Sequence, residues 1–279
     1  MAIVLALCSA LTYGLSDFVG GFVSRRTSAW AVAVLGQSSS AVCTTVAALF
    51  VAGSPEPRDF AWAVLGGVGG GMGCGFLYRG FTTGRMSVVA PVSAVGSALV
   101  PIAAGALGGE RPGLLVWVGI VVAMPAIWLV SSTPGTTRTQ GGSFAEGLLD
   151  GVLAGLGFGL LFACLGQIPD SAGLWPLTVT QLVSVPAVVL LASLVRAPWV
   201  PRDRAVRWAV LCGPLGATAT LAFLLATQRG YLTVSGVLAA LYPASTVVLA
   251  MLVLREHVHR AQALGLVLCA VTVALVAAG

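Results

Sequence analysis

The segment 146–166, EGLLDGVLAGLGFGLLFACLG, contains the features that decide the fold of this chain. Its residues are mostly apolar, and the segment is long enough to cross a membrane as a helix, which takes about 20 residues. Glycine recurs at every fourth position, and residues four apart lie on one face of a helix. Stacked small residues let two helix backbones touch, which is how helices associate in lipid. The segment therefore predicts a membrane-spanning helix that packs closely through Gly147, Gly151, Gly155 and Gly159.

A second glycine face is predicted in the segment 61–78, where Gly67, Gly71 and Gly75 follow the same spacing. The run 66–75 does not spell the dinucleotide-binding fingerprint, and no strand precedes it. We therefore assign these glycines to helix packing. Direct contact with a ligand is the less favoured alternative.

The rest of the chain repeats this apolar pattern. Of its 279 residues, 58% are hydrophobic and only 8% are charged, against roughly 25% charged in soluble domains, and the mean hydropathy is +1.00. This composition excludes a soluble globular domain, a disordered chain and a disulfide-rich scaffold. Continuous apolar runs favour helices over barrel strands, which are about 10 residues long and alternate. We predict an all-α integral membrane protein with spans near 2–22, 30–52, 61–78, 87–107, 113–131, 146–166, 174–195, 206–227, 233–254 and 261–278.

The distribution of charge argues against nucleic acid as a partner. All 14 basic residues are arginines, and the net charge is +5. They fall singly or in pairs between the apolar runs, as charges that set membrane topology do, and no segment has the density of a phosphate-binding patch. The expected partners are membrane lipid and a small-molecule substrate, and the sequence leaves the oligomeric state open.

The positions of the cysteines and histidines do not favour an enzyme or a metal-binding protein. The six cysteines lie in separate apolar runs without a Cys-x-x-Cys pair, and the two histidines, His257 and His259, share one short loop. Neither a Ser–His–Asp set nor a Cys/His metal site can be assembled from them. We therefore predict no metal, no cofactor and no enzymatic activity. The chain also lacks a nucleotide-binding motif that would couple it directly to ATP.

The two halves of the chain match each other in a common order. Because each half has five spans, an odd number, the second half must enter the membrane from the opposite side. An inverted repeat of this kind places a binding site near the midplane between the halves, and rocking about that site gives alternating access. The matched segments are 13–15 with 158–160, 79–81 with 229–231, and 109–111 with 255–257.

Five motifs together are typical of one transporter family. They are YGLSDF at 13–18, YRG at 78–80 running into MSVVAP at 86–91, GER at 109–111, LYP at 241–243 and LRE at 254–256. On these motifs the chain resembles the EamA family of the drug/metabolite transporter superfamily. One departure is that Pro243 precedes Glu256 by thirteen residues, whereas Ser97 stands at the equivalent place before Glu110.

The resemblance implies ten transmembrane helices as two five-helix inverted repeats, 1–131 and 146–279, joined by a loop at 132–145. It implies a multi-pass secondary transporter of the cytoplasmic membrane that moves a small metabolite, amino acid or drug-like solute by alternating access, more often by export. A non-transporting membrane scaffold or a channel is the alternative. Substrate-dependent flux in liposomes would separate the carrier from the scaffold.

Asp17 is the leading candidate for the substrate cavity. Charged side chains inside a membrane are costly and mark functional sites, and Asp17 shares a helix face with Tyr13. The alternative is that it snorkels toward Arg25 or Arg26 at the interface. Inside a cavity it would need water, a substrate ammonium or an arginine such as Arg79. There it could act as a proton-linked switch or as a fixed counter-charge. The cavity candidates are Tyr13, Asp17, Tyr78, Arg79, Pro91, Phe158 and Tyr242.

Several other polar residues have structural interpretations. Asp150 is predicted to reach the nearby interface, and Glu110 to sit at the positive end of the helix that it opens. Gln37 and Gln181 are matched between the halves and are predicted to form interhelical hydrogen bonds. Six prolines inside the spans are candidate kinks: Pro91, Pro101, Pro125, Pro186, Pro214 and Pro243.

Two arguments about topology disagree. On the predicted spans, eleven arginines lie on one side of the membrane and three on the other, so the positive-inside rule places both termini outside. The family resemblance implies both termini inside. Short loops and a fused inverted repeat weaken the charge rule, so the prediction follows the family orientation.

Overall fold

The computed structural model describes residues 1–83, 86–131, 144–254 and 259–279, and all of its secondary structure is helical. Ten helical segments are long and apolar enough to cross a membrane, which confirms the all-α membrane fold. The first half contains α1 (Ala2–Ser24), α2 (Ala29–Ala48), α3 (Pro57–Thr83), α4 (Met86–Leu107) and α5 (Leu114–Ser131). The second half contains α6 (Phe144–Leu165), α7 (Trp175–Leu194), α8 (Cys212–Thr227), α9 (Leu232–Ala239), α10 (Tyr242–Leu254) and α11 (Arg260–Ala278).

Two spans of the second half are composite. A 3₁₀ segment, Arg204–Leu211, runs directly into α8, so that the eighth span covers Arg204–Thr227. The ninth span consists of α9 and α10 and is interrupted at residues 240–241, immediately before Pro243. A proline at this place removes a backbone donor from the helix. The break therefore lies at the LYP motif, residues 241–243.

Of the six prolines inside the spans, Pro243 closely follows a break in its helix, whereas the helices are continuous at the other five. The α4 helix continues through Pro91 and Pro101, and α5 and α7 continue through Pro125 and Pro186. Pro214 is the third residue of α8, just after the 3₁₀ segment that leads into this helix. Packing against neighbouring helices keeps the helical backbone together at the interior prolines.

The helices of the two halves pack against each other in matched pairs. In a chain of two five-span repeats, span 1 corresponds to span 6 and span 3 to span 8. A contact between spans 1 and 8 therefore has its equivalent in a contact between spans 6 and 3. The structure has both contacts, because α1 packs against α8 and α3 against α6. The contacts of α2 with α7, α4 with α9, and α5 with α11 each join a helix to its own counterpart in the other half. The interface between the halves therefore runs through the whole bundle.

The glycines of α6 lie against α4. A methyl group at Gly155 would be 2.9 Å from the carbonyl oxygen of Ser93, and one at Gly159 would be 3.1 Å from the carbonyl oxygen of Gly96. At Gly151 a methyl group would similarly meet the backbone of α4, and Gly147 is buried. These distances leave no room for a side chain, so the two backbones touch along this face.

The glycines of α3 divide between two neighbours. Gly67 and Gly71 face α7, where a methyl group would lie 2.5 Å and 2.7 Å from backbone carbonyl oxygens, and Gly75 lies against the ring of Trp30 on α2. Two further glycines of α3, Gly69 and Gly73, touch α6 at Gly157 and Phe158. Gly69 and Gly73 are also four residues apart, but the sequence analysis did not single them out.

Candidate functional site

A cavity lies between the two halves, enclosed by α1, α2 and α3 from the first and α6, α7 and α8 from the second. Its free volume is about 50 Å³. One water molecule needs roughly 10–15 Å³. The cavity therefore has room for a few waters, and a larger solute would enter only if the helices separate. Its lining comprises Tyr13, Ser16, Asp17, Gly36, Gln37, Ser40, Cys74, Tyr78, Phe158, Leu161, Gln181, Cys212, Gly216 and Thr220.

Asp17 supplies the charge of this cavity. Among the described residues that line it, Asp17 is the one acidic side chain. Its carboxylate forms no hydrogen bond or ion pair with any residue in the described part of the chain. The groups within electrostatic range of it are phenols and thiols: Tyr13, Tyr78, Tyr242, Cys74 and Cys212. The Asp17 carboxyl group thus faces the cavity beside hydroxyls and thiols, with no basic side chain among the described lining residues.

Two phenylalanines hold the ring of Tyr13, which lines the cavity together with Asp17. The Tyr13 ring meets Phe162 edge-on with centroids 5.5 Å apart, and Phe162 stacks on Phe223 at 4.5 Å. Such pairs hold their rings in place beyond simple burial. The hydroxyl oxygen of Tyr13 is buried and has no hydrogen-bond partner among the described residues. Tyr13 therefore offers a positioned and unused polar atom one helical turn from Asp17.

Tyr78 reaches the cavity because Gly20 has no side chain. A methyl group at Gly20 would collide with the Tyr78 hydroxyl, so this tyrosine lies directly on the backbone of α1. The thiols of Cys74 and Cys212 and the hydroxyl of Ser16 are close to the same hydroxyl. Ser16 in turn donates to the carbonyl oxygen of Cys212 at 3.4 Å. Helices α1, α3 and α8 are thus joined at this wall of the cavity.

A hydrogen-bonded amide closes another wall. Gln181 on α7 donates to Ser40 Oγ on α2 at 2.7 Å and to Thr220 Oγ1 on α8 at 3.3 Å. Its sequence counterpart, Gln37, lines the same cavity and lies beside Cys74. The interhelical hydrogen bonds expected for Gln181 are present. The polar residues Ser16, Ser40 and Thr220 were not predicted; their signal was a small polar side chain near the centre of an otherwise apolar span.

Four of the seven cavity candidates line the cavity, namely Tyr13, Asp17, Tyr78 and Phe158. Pro91 is buried within α4 and does not reach it. Tyr242 is also buried, and its hydroxyl lies 3.4 Å from Ser93 Oγ, behind the lining residues. Arg79 is likewise absent from the lining.

Arg79, one of the partners considered for Asp17, pairs with Asp150. Arg79 Nη2 lies 2.7 Å from Asp150 Oδ1, and Nε donates to Oδ2 at 3.2 Å. The guanidinium also lies over the Phe76 ring, 5.1 Å from its centroid. Asp150 is fully buried within the protein. Burial of a charge requires a partner, and only the fold brings these two residues of α3 and α6 together.

Glu110 stabilises a helix other than the one it was expected to serve. Its carboxylate accepts hydrogen bonds from the backbone N–H groups of Leu232, at 2.5 Å, and Thr233, at 2.9 Å. These are the first residues of α9, whose first-turn N–H groups lack intrahelical partners. The dipole argument is sound, but it applies across the interface between the halves rather than to α5.

Some sequence motifs fall outside the described residues. These are Arg255, Glu256 and His257 of the second-half motif, and residues 132–143 of the loop between the repeats. Among the residues that the structure does describe, no group of three or more His, Cys, Asp or Glu side chains is placed to hold a metal ion.

The fold and the cavity define the class of this protein: a ten-span membrane protein of two five-helix halves around a central polar cavity. The model of the EamA-like transporter family matches residues 1–132 and again residues 145–278. The chain therefore belongs to the EamA-like transporter family.

A solved structure, titled only "Crystal structure of protein", has a similar fold. The two superpose with a TM-score of 0.74 over 98% of this chain and 95% of that chain, at 16% sequence identity. At this identity the likeness concerns the fold alone. No curated protein matches the sequence.

Proposed function

We propose that this protein is a secondary transporter that carries a small metabolite, amino acid or drug-like solute across the cytoplasmic membrane by alternating access, in the direction of export. The observation that carries the proposal is the polar cavity enclosed jointly by α1–α3 and α6–α8. A solute held there touches both halves at once. A relative movement of the halves would then open the cavity to one side and close it to the other.

The two matched halves support this mechanism. Residues 1–131 and 146–279 would act as the moving repeats, and 132–145 as their connection. The ion pair between Arg79 and Asp150 joins the halves at α3 and α6, and Glu110 joins them at α9. Both contacts would have to change when the halves rearrange, so they are candidates for the closures of the two access states.

The substrate and the direction are tested together by comparing cells that make the protein with cells that lack it. Untargeted mass spectrometry of the medium and of the cell contents should show at least one solute that is enriched outside and depleted inside when the protein is present. Unchanged solute distributions under every growth condition would argue against export.

A carrier is distinguished from a channel or a scaffold in proteoliposomes. A carrier should take up the labelled solute faster when unlabelled solute is trapped inside, and its initial rate should saturate with concentration. A channel would show flux without this trans-stimulation, and a scaffold would match protein-free liposomes. Either result would contradict the proposed mechanism.

A further inference from the structure

Two loops that carry arginines meet at one end of the helix bundle. The first connects α1 to α2, and the second follows α7 and leads into the eighth span. Thr27 Oγ1 donates to Asp203 Oδ2 at 2.9 Å, and Ser28 Oγ donates to the carbonyl oxygen of Pro198. These hydrogen bonds join segments that are 170 or more positions apart, so the fold makes one surface from arginines that the sequence separates. We call this surface the arginine patch, and it comprises Arg25, Arg26, Arg196, Arg202, Arg204 and Arg207.

Positive charge dominates the arginine patch. Across residues 24–28 and 194–211, Asp203 is the one acidic residue against six arginines. Arg202, Arg204 and Arg207 are exposed and form no ion pair within the described part of the chain. Neighbouring guanidinium groups repel one another, and an anion placed among them is attracted. The surface therefore favours a negatively charged partner.

Apolar neighbours place the arginine patch at the depth of the lipid headgroups. The segment Arg204–Leu211 leads into α8 and buries Val206 and Ala209. Trp208 of the same segment is 64% exposed, and Leu211 is 50% exposed. Exposed tryptophan and arginine beside the end of a span are typical of the boundary between membrane and water. A soluble anion would use the arginines alone, whereas a lipid also covers Trp208 and Leu211.

We propose that the arginine patch binds an anionic phospholipid, with the lipid phosphate on the arginines and the acyl chains against Trp208 and Leu211. Loops rich in arginine at the end of a span attract such lipids by charge. The residues of the patch do not line the central cavity. The proposal therefore concerns a second site and stands or falls separately from the transport function.

The binding is measured by native mass spectrometry of the full-length protein in detergent. Phosphatidylglycerol, which is anionic, and phosphatidylcholine, which has no net charge, are added separately at equal concentrations. We expect phosphatidylglycerol to bind at least about fivefold more tightly, the preference that one arginine provides near an anionic surface. Inorganic phosphate at the same concentration should not displace it, because phosphate lacks the acyl chains.

A triple variant tests the arginines directly. Arg202→Gln/Arg204→Gln/Arg207→Gln should lose most of the preference for phosphatidylglycerol, because three positive charges leave the patch. The matched control makes the same replacement at the three arginines predicted on the opposite side of the membrane, and it should bind the lipid as the wild type does. Equal losses in the two variants would overturn the proposal, since net charge alone would then explain the binding. The control variant is Arg58→Gln/Arg111→Gln/Arg229→Gln.

Tryptophan fluorescence locates the lipid without any arginine variant. The wild type and Trp208→Phe are compared in phosphatidylcholine vesicles that contain the same fraction of brominated phosphatidylglycerol or brominated phosphatidylcholine, because bromine quenches tryptophan on contact. The quenching that is lost in Trp208→Phe should be greater for the anionic lipid. Equal quenching of Trp208 by both lipids, equal binding of both lipids by the wild type, or displacement by inorganic phosphate would each overturn the proposal. These comparisons stand even where an arginine variant fails to fold.

Discussion

Three carboxylates inside or beside the spans have different roles because they lie in different surroundings. Asp17 lines a cavity with no basic side chain among its described lining residues, Asp150 is buried against Arg79, and Glu110 caps a helix of the opposite half. All three are costly to bury alone. Asp150 and Glu110 are satisfied within the protein, whereas Asp17 has no hydrogen-bond or ion-pair partner in the described part of the chain.

Asp17→Asn is expected to abolish or greatly reduce flux of the solute found in the cell comparison. The amide is similar in size but removes the charge that faces the cavity. Flux into proteoliposomes measures the effect, and size-exclusion profile and membrane yield report folding and insertion. Glu56→Gln should retain wild-type flux. Wild-type flux in Asp17→Asn would return Asp17 to the role of an interfacial side chain.

Glu110→Ala is expected to lower the free energy of unfolding by about 0.5–2 kcal/mol, the usual cost of losing a side chain that caps a helix. Glu110→Gln should fall between the alanine variant and the wild type, because the amide keeps one acceptor for Leu232 or Thr233. Thermal unfolding in detergent provides the measurement. Glu56→Ala, in an exposed ion pair, should change stability by less than about 1 kcal/mol. Equal effects at both positions would contradict the capping role.

At the scale of elements, close backbone contact substitutes for the hydrophobic effect. Lipid tails are as apolar as the helices, so association depends on packing and on interhelical hydrogen bonds. Helix α6 is held on one face by glycine contact with α4 and on another by α3. It therefore links α4 to α3, which borders the cavity.

Gly155→Ala should destabilise the α4–α6 contact. The new methyl group would lie 2.9 Å from Ser93 O and 3.0 Å from Gly96 Cα, both backbone atoms, so the helices must separate. Overpacking of this kind costs about 1–3 kcal/mol. Gly21→Ala is the control within a helix, because its methyl group would meet Phe81 at an ordinary 3.5 Å. A melting temperature lowered only at Gly155 supports the contact; equal behaviour would oppose it.

The Arg79–Asp150 pair should couple α3 to α6. Arg79→Gln and Asp150→Asn each leave a largely buried charge without its partner, which costs about 1–3 kcal/mol or more. The double variant removes both charges and should be less destabilised than the sum of the single variants. A double-mutant cycle on unfolding free energies measures this coupling. Additive losses would show that the two side chains do not depend on each other.

For the whole molecule, the internal repeat determines how the chain is arranged across the membrane. Ten spans return the C-terminus to the side of the N-terminus. Each half has an odd number of spans, so equivalent helices run in opposite directions. The cavity consequently lies between surfaces that are related in sequence but inverted in orientation.

Both termini are expected in the cytoplasm. A green fluorescent protein fused after Gly279 should fluoresce, and alkaline phosphatase fused there should be inactive, because the first works only inside and the second only outside. N-terminal fusions should agree with them, since ten is an even number. Phosphatase activity at Gly279 would instead support the orientation that the eleven arginines predict.

By itself the sequence determined the class of fold. Apolar runs of about 20 residues can be satisfied in lipid only as helices, so ten spans and their approximate limits follow from composition and spacing. Matched motifs in the two halves revealed the repeat, and the scarcity of charges inside the spans singled out Asp17. These features depend on local pattern, which a linear chain displays directly.

Only the tertiary structure decided which residues meet. Arg79 and Asp150 are 71 positions apart, and Glu110 is 122 positions from Leu232, so no local rule relates them. The second glycine contact, through Gly157, also depends on how α3 crosses α6. Ion pairs, caps and cavity walls arise from packing between helices, and lipid-facing and protein-facing surfaces are both apolar here. Hydrophobic pattern therefore predicts that a helix spans the membrane but not which neighbour each face will touch.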